Sequence, residues 1–532
     1  MIHTPQAYGG MLVAPHHLAA QAGRDVLGDG GNAVEAMVAA AAAIAVVYPH
    51  MNAIGGDGFW LIHEPGRAPV AIDACGPAAA AATPAFYAGE TAIPARGPRA
   101  ALTVAGTVGG WAAALEQAAP WGRALPLARL LRDAIGHAAD GVAVTASQAA
   151  LTRAKLAGLK DQPGFAETYL VNGEPPALGQ RLRYPALART LDELARRGLD
   201  DFYRGELGQR IGAELARLGS PVRTSDLAAY RAQVLAPLSV RLNDASVYNL
   251  PPPTQGLATL MILGLFERLI ERHGIAHGEG FAHVHGLVEA TKRAFRVRDR
   301  IVTDRGRLPA DPASFLTPEA LDRLAAEIDP AAALPWPEPT APGDTIWMGA
   351  IDRQGRAVSF IQSVYWEFGS GTVLQGSGIC WQNRGMSFSL SPTALNHLAP
   401  GRHPFHTLNP SMALFDDGRV MPFGTMGGEG QPQTQAAVFT RHARFGMPLA
   451  QAVAAPRWLL GRTWGDDSTT LKLEPRFDPA LVQALRAAGH QVELLDEAYS
   501  DTMGHAGALV RHADGRIEGA ADPRSDGVAA GL

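Results

Sequence analysis

A chain of 532 residues, 47% apolar and 18% charged, is long enough for several domains or for one large composite core. Its net charge of −5 offers no electrostatic footprint for nucleic acid, although one or two local cations suffice for a small anion. Two cysteines, Cys75 and Cys380, exclude a disulfide framework and a CxxC metal site.

The N-terminus, MIHTPQAYGG, has neither a basic nor an apolar segment, so no signal peptide is expected and the cytoplasm is the expected compartment. GMLVAPHHLAAQAGRDVLGDGGNAVEAMVAAAAAIAVVYP reads as strand, helix, glycine turn and second helix. The apolar run from Ala36 to Tyr48 is too short to cross a bilayer. Its alanines and the capping candidate Asn32 predict a buried helix that begins near Asn32 and stops before Pro49. GDGFWLIHEPGRAPVAIDACGP follows as two strands joined at Pro65 and Gly66. From about Pro126 to Ala236, apolar residues three and four apart predict mostly helix, as in YPALARTLDELARRG. VYNLPPPTQGLATLMILGLFERLIERHG reads as strand, proline loop and long helix. In ERHGIAHGEGFAHVHGLVEATKRAF, His283 and His285 are two apart on a predicted helix and point to different faces. No HExxH occurs, so solvated helix surface is expected there and no metal.

Between about Leu308 and Asp344 the composition shifts, and PWPEPTAPGD predicts an exposed loop. Strands follow: TIWMGAID, AVSFIQSVYW, GICWQNR, SMALFDD and RVMPFGTM, the first two joined by a hairpin turn at Arg353, Gln354 and Gly355. Thr345 therefore sits where a loop becomes a strand. A hydroxyl there can attack the Asp344 carbonyl, and hydrolysis of the resulting ester frees the Thr345 α-amine. Such an amine titrates near ~8 and can act as general base for its own hydroxyl. A threonine opening a strand is also ordinary β-structure. In PFGTMGGEGQPQTQAAVFTRH a strand runs into Gly427 and Gly428, and a helix starts near Pro432. The two glycines read either as an oxyanion hole made of backbone N–H groups or as a tight turn. IGGDGF, from Ile54 to Phe59, reads as a turn. There is no GxxxxGK[ST], proper GxGxxG or GxSxG, and Cys380 lies in an apolar strand without a histidine partner in sequence.

These blocks, in order and almost end to end, resemble the γ-glutamyltransferase family of N-terminal-nucleophile hydrolases. The resemblance rests on the N-terminal stretch ending in IGGDGFWLIHE, on TVAGTVGGW, LPPPTQG and HVHGLVEATKRAF, and on DTIWMGAIDRQGRAVSFIQSVYWEFGSGTVLQGSGICWQNRG, GTMGGEGQ and GAADPRSDG. It implies an α+β fold, a four-layer αββα sandwich, and a precursor that cuts itself between Asp344 and Thr345. Residues 1–344 would be the large subunit and 345–532 the small one, intertwined in one domain. Thr345 falls on the family's nucleophile, Gly427 and Gly428 on its oxyanion glycines, and Ser363 is placed to hydrogen-bond Thr345. No cofactor, metal, nucleic acid or membrane partner is implied; the oligomeric state stays open, a dimer of heterodimers among the options.

The glutamyl pocket of the family is largely replaced. Its carboxylate arginine becomes Cys75, its asparagine Tyr365, its glutamine and aspartate Arg384 and Ser387, and its paired serines His406 and Thr407. The usual Thr-Thr-His start of the small subunit reads Thr345, Ile346, Trp347. Losing charge-assisted contacts worth roughly 1.5–3 kcal/mol each should make glutathione a poor substrate. Added bulk and a cation suit a small anionic amide, its carboxylate on Arg384 and the rest of the site lined by Tyr365, Ser387, His406 and Thr407. γ-Glutamyl transfer or hydrolysis, another acylase reaction, and an unprocessed relic that only binds a ligand are the alternatives. For Arg384 the plain alternative is a salt bridge at a strand end, and for Tyr365 simple packing.

Overall fold

Alternation along the strand Asp344–Asp352 sets the architecture. Ile346, Met348 and Ala350 join one apolar core, while Trp347 and Ile351 join another. A strand apolar on both faces needs cover on both. The computed structural model supplies it; it describes residues 3–122, 124–336, 344–461 and 469–532, and of Asp344 the backbone alone.

Two seven-stranded sheets lie face to face. The first runs Val528–Gly531, Gly10–Ala14, Asp344–Asp352, Ala357–Tyr365, Asp57–His63, Val70–Ala74, Gln233–Leu235. The second runs Gln6–Ala7, Ile517–Ala521, Ala506–Arg511, Val420–Thr425, Ser411–Phe415, Ala245–Asn249, Leu238–Arg241. Neighbours within both sheets pair antiparallel. The inter-sheet core includes Met11, Val13, Phe59, Leu61, Trp347, Ile361, Met412 and Leu509. Helices Ala33–Val47 and Thr107–Ala118 cover the first sheet; Gly256–His273 and Gln431–Phe439 cover the second, each over its own apolar core. This is the four-layer αββα sandwich that the resemblance implies.

The helix Ala33–Val47 is buried along all 15 residues. Alanine lets it lie close to the sheet on one side and to helices on the other. Asn32 and Glu35 close a reciprocal capping box at its start. Among the described residues no helix is long and apolar enough to cross a membrane. The strands and helices anticipated around Gly10–Asn52, Gly58–Ala74 and Val247–His273 form where expected, whereas the proline-rich PWPEPTAPGD lies largely outside the described residues.

One expectation is overturned. His283 and His285 are buried, not solvated, because the helix Phe281–Ile301 is packed between other elements. His283 Nε2 meets Thr440 Oγ1 at 2.9 Å. His285, Glu289 and His490 come within 4.8 Å of one another. They are occupied by protein partners: His285 faces His490 Nε2 at 2.9 Å and the Asp329 carbonyl at 2.8 Å, and Glu289 accepts from Lys292 at 2.7 Å and Arg293 at 2.6 Å.

Trp347 fills the space between the sheets. Its Nε1 donates to Ser359 Oγ at 2.9 Å, and its ring lies against Gly424 and Gly507 of the facing sheet. A Cβ on Gly424 would stand 2.2 Å from Trp347 Cδ1. The Gly424→Ala variant is therefore expected to lose about 1–3 kcal/mol of stability by overpacking, read as a lower denaturation midpoint.

Candidate active site

Thr345 is the second residue of its strand, on the face turned to the other sheet, and it is completely buried. Pairing passes from Asp344↔Tyr365 to Ile346↔Gln362, so Ser363 and Val364 together oppose Thr345. This is a β-bulge, a device that re-aims side chains beside reactive centres. The bulged strand then turns through Tyr365 at φ +84°, a left-handed conformation rare for a non-glycine residue. Ser363 Oγ accepts the Tyr365 N–H at 2.8 Å. Gln431 Nε2 approaches Thr345 Oγ1 at 3.5 Å.

Gly427 and Gly428 link the strand Val420–Thr425 to the helix Gln431–Phe439, with φ of +115° and +53°. The Gly427 carbonyl accepts the Gly430 N–H at 2.8 Å, which turns the Gly428 N–H, on the opposite side of the same peptide, outward. Among the described residues neither the Gly427 nor the Gly428 N–H has an acceptor. Two unspoken-for donors at a helix entrance are what a developing oxyanion needs. The turn is braced from behind. Glu429 pairs with Arg298 at 2.8 Å, Arg298 donates to Gln255 Oε1 at 3.0 Å, and Gln255 Nε2 donates to the carbonyls of Gly428 at 2.8 Å and Thr407 at 2.7 Å. Arg457 donates to the Gly504 carbonyl at 2.9 Å and pairs with Asp522, which takes Arg524 at 3.0 Å; this gives the closing motif GAADPRSDG a structural role. Gly504 lies directly against Gly427, where an added Cβ would meet its Cα at 3.3 Å. Gly427→Ala, strained at this φ, is expected to lower kcat for amide hydrolysis by about 10²-fold, measured as product release at saturating substrate.

Arg384 begins a short turn, Arg384–Ser387, and is buried. Its backbone is tied to the bulge, since the Asn383 N–H donates to the Val364 carbonyl at 3.2 Å and the Trp366 N–H to Asn383 Oδ1 at 3.1 Å. The guanidinium lies 3.7 Å over the Tyr365 ring, donates to Thr407 Oγ1 at 3.2 Å and reaches the Phe405 carbonyl at 3.4 Å. Among the described residues its Nε has no partner and no carboxylate lies within ion-pair distance. Burial lowers its pKa to about 10, so it stays a cation at neutral pH. The strand-end salt bridge considered from sequence is thus not what holds it. Ser387 Oγ donates toward the carbonyls of Arg384 at 2.8 Å and Phe405 at 3.0 Å, and so supports the arginine.

His406 and Thr407 come in from the loop before the strand Ser411–Phe415. His406 Nε2 faces Asp57 Oδ2 at 3.0 Å. Asp57 was not legible as a site residue, though an acid inside the glycine cluster IGGDGF was a signal. Its Oδ1 accepts from Gln382 Nε2 at 3.0 Å and from the N–H groups of Gly106 at 3.1 Å and Gly76 at 3.2 Å. Burial nevertheless pushes its pKa up to about 7. Burial, then the Arg384 charge, holds the His406 imidazole well below its usual range. Cys75 directly follows the neighbouring strand Val70–Ala74, fully buried, its thiol pushed up by burial and by Asp73 and Asp57. Asp73 itself is paired with Arg305 at 2.6 Å. Cys380 donates to the Phe368 carbonyl, and burial raises its pKa to about 12, which leaves no thiolate for nucleophilic work.

The structure thus brings Thr345, Ser363 and Tyr365 together on one strand pair, with Arg384, Ser387, His406 and Thr407 joined to them by the contacts above. The Gly427–Gly428 turn is linked to this set through Gln431, which reaches Thr345, and Gln255, which holds Thr407. Gln255, Gln382 and Gln431 are additions that no sequence pattern singled out.

Comparison with known proteins bears on the family and the overall fold. The family model described as gamma-glutamyltranspeptidase matches residues 19–532. The chain is 58% identical over 523 residues to the oxamate amidohydrolase proenzyme of Klebsiella pneumoniae subsp. pneumoniae, covering 98% of both chains. It is 40% identical, again over 98% of both, to the glutathione hydrolase-like YwrD proenzyme of Bacillus subtilis. Among solved structures, the cephalosporin acylase from Bacillus halodurans superposes with a TM-score of 0.90 at 32% identity, over 100% of this chain and 97% of that one. The chain is an enzyme of the gamma-glutamyltranspeptidase family.

Proposed function

We propose that the chain is a self-processing amidohydrolase that cleaves oxamate to oxalate and ammonia. The observation that carries this reading is Arg384: a buried guanidinium beside the Thr345 bulge, with no carboxylate in ion-pair distance among the described residues. A buried cation of this kind calls for an anion. Oxamate, an amide joined directly to a carboxylate, can place its carboxylate on Arg384 and its amide carbon at Thr345. The 58% identity to an oxamate amidohydrolase proenzyme supports the same substrate.

The chemistry runs in two stages. Thr345 Oγ attacks the Asp344 carbonyl, the peptide nitrogen leaves as the Thr345 α-amine, and water hydrolyses the ester, giving residues 1–344 and 345–532 as partner subunits. In turnover the amine takes the Oγ proton as Oγ adds to the amide carbon, and the Gly427 and Gly428 N–H groups hold the oxyanion. Collapse passes that proton to the leaving nitrogen and releases ammonia. The amine then activates water against the oxalyl ester, and oxalate departs. The breakdown of purine- or allantoin-derived nitrogen is the setting that fits such a substrate.

The second reading, γ-glutamyl hydrolysis, draws on the relative named glutathione hydrolase-like. Ammonia release from oxamate, set beside anilide release from a γ-glutamyl anilide, separates them. Turnover of the anilide but not of oxamate would overturn the proposal.

A further inference from the structure

The register of the first sheet puts a second carboxylate close to the nucleophile. Ser363 opposes Thr345 across the bulge on one side, and pairs with Asp57 on the other. Thr345, Ser363 and Asp57 therefore form one row across three strands, about 10 Å from end to end. All three are buried, on the face turned toward the second sheet. His406, from the opposite layer, closes on Asp57, and the next residue, Thr407, holds Arg384.

The charges in this enclosure must be balanced for a substrate carboxylate to enter. At rest it contains one guanidinium, Arg384, and one carboxylate, Asp57, beside a neutral imidazole. The other charged or titratable groups bearing on the pair are few. Cys75 is a thiol, Tyr203 and Tyr230 are phenols pushed up by burial, Asp73 is neutralised by Arg305, and His403 is paired with Asp304. A second carboxylate leaves one negative charge uncompensated in a buried enclosure. Beside the Thr345 α-amine that processing frees, the Asp57–His406 pair is the group placed to absorb it. Among the described residues Oδ1 takes three N–H donors, whereas Oδ2 has His406 alone, and the buried His406 Nδ1 has no partner.

We propose that the Asp57–His406 pair takes up one proton from solvent when a carboxylate-bearing substrate pairs with Arg384, and that this uptake determines which anions the site admits and over what pH range. The added proton leaves one hydrogen between Oδ2 and Nε2 and one on Nδ1, and no bond other than N–H or O–H is made or broken. The inference rests on the carboxylate role of Arg384 given above. Burial holds Asp57 near neutrality in the free enzyme, so uptake grows as pH rises above about 7 and fades below it, where the pair is already protonated.

The test is calorimetric titration of the processed wild-type enzyme with pyruvate, an isosteric monoanion with no leaving group, in phosphate and in Tris. At about pH 8 the buffer dependence of the enthalpy is expected to report about one proton taken up per pyruvate bound, falling toward zero near pH 5.5. Asp57→Asn should abolish the dependence at both pH values; if that variant does not fold, the midpoint of the wild-type uptake decides, since half-maximal uptake near pH 7 assigns the proton to the pair and near pH ~8 to the Thr345 α-amine, which would overturn the inference. Binding of pyruvate with no buffer dependence at pH 8, or no binding of pyruvate, would overturn the inference. Oxamate turnover, assayed in parallel, separates the two ideas: turnover without proton uptake sinks the inference alone, and uptake without turnover sinks the substrate assignment alone.

Discussion

Thr345→Ala is expected to leave a single uncut chain, where the wild type gives two fragments meeting at the bond between Asp344 and Thr345. Amide hydrolysis should fall by about 10⁴-fold or more, the order seen when a catalytic nucleophile is removed. The reason lies in the economy of the residue. In the proposed reaction its hydroxyl makes the cut and then attacks substrate, and its amine would exist only because the cut was made. Thr345→Ser keeps the hydroxyl and should cut, more slowly. Intact mass after purification reads both variants directly. Two fragments from the alanine variant would show that the hydroxyl is not the agent of cleavage.

Arg384→Gln is expected to cut normally and yet to fail on oxamate. Losing a charge-assisted, two-point grip on a carboxylate should cost about 3 kcal/mol or more, roughly 10²-fold in kcat/KM, mostly through KM. Oxamide, which replaces the carboxylate by a second amide, is the internal control. The variant should change its kcat/KM only a few-fold, because an uncharged substrate never drew on the guanidinium. Arg384→Lys should recover little, since an ammonium neither forks across a carboxylate nor lies flat on Tyr365. Equal losses on oxamate and oxamide would mean that Arg384 supports the fold of the site and does not grip the anion.

The elements of the fold were legible because their signals are local. A run of alanines after Asn32 and alternating apolar residues from Ile346 to Ile351 each specify one element without help from the rest of the chain. The site was legible only in part. Thr345 and the Gly427–Gly428 pair could be placed by the order of the blocks around them. Arg384 could be placed too, but not its condition: that it is buried, laid on Tyr365 and, among the described residues, out of ion-pair reach of a carboxylate is a property of three separate segments meeting. Asp57 was passed over for the same reason. In sequence it is an acid in a glycine turn, and only the pairing of Ser363 with Asp57 puts it in the row of the nucleophile. His283 and His285 failed in the other direction. Their helix has a polar pattern that reads as surface, but Thr440 and His490, far away in sequence, bury both.

The order of strands carries one last consequence. Both sheets mix segments from before and after Thr345: Asp344–Asp352 pairs with Gly10–Ala14, Ala357–Tyr365 with Asp57–His63, and Ser411–Phe415 with Ala245–Asn249. Once the chain is cut, those neighbours belong to different molecules. Unfolding then becomes a dissociation, and renaturation a second-order encounter between two fragments that each lack half of both sheets. The mature enzyme should therefore owe its lifetime to a high barrier against opening, and not to an equilibrium it can re-enter. Heated or denatured after processing, it should regain activity only in proportion to concentration and with poor yield. The uncut Thr345→Ala chain, still a single thread, should refold on dilution.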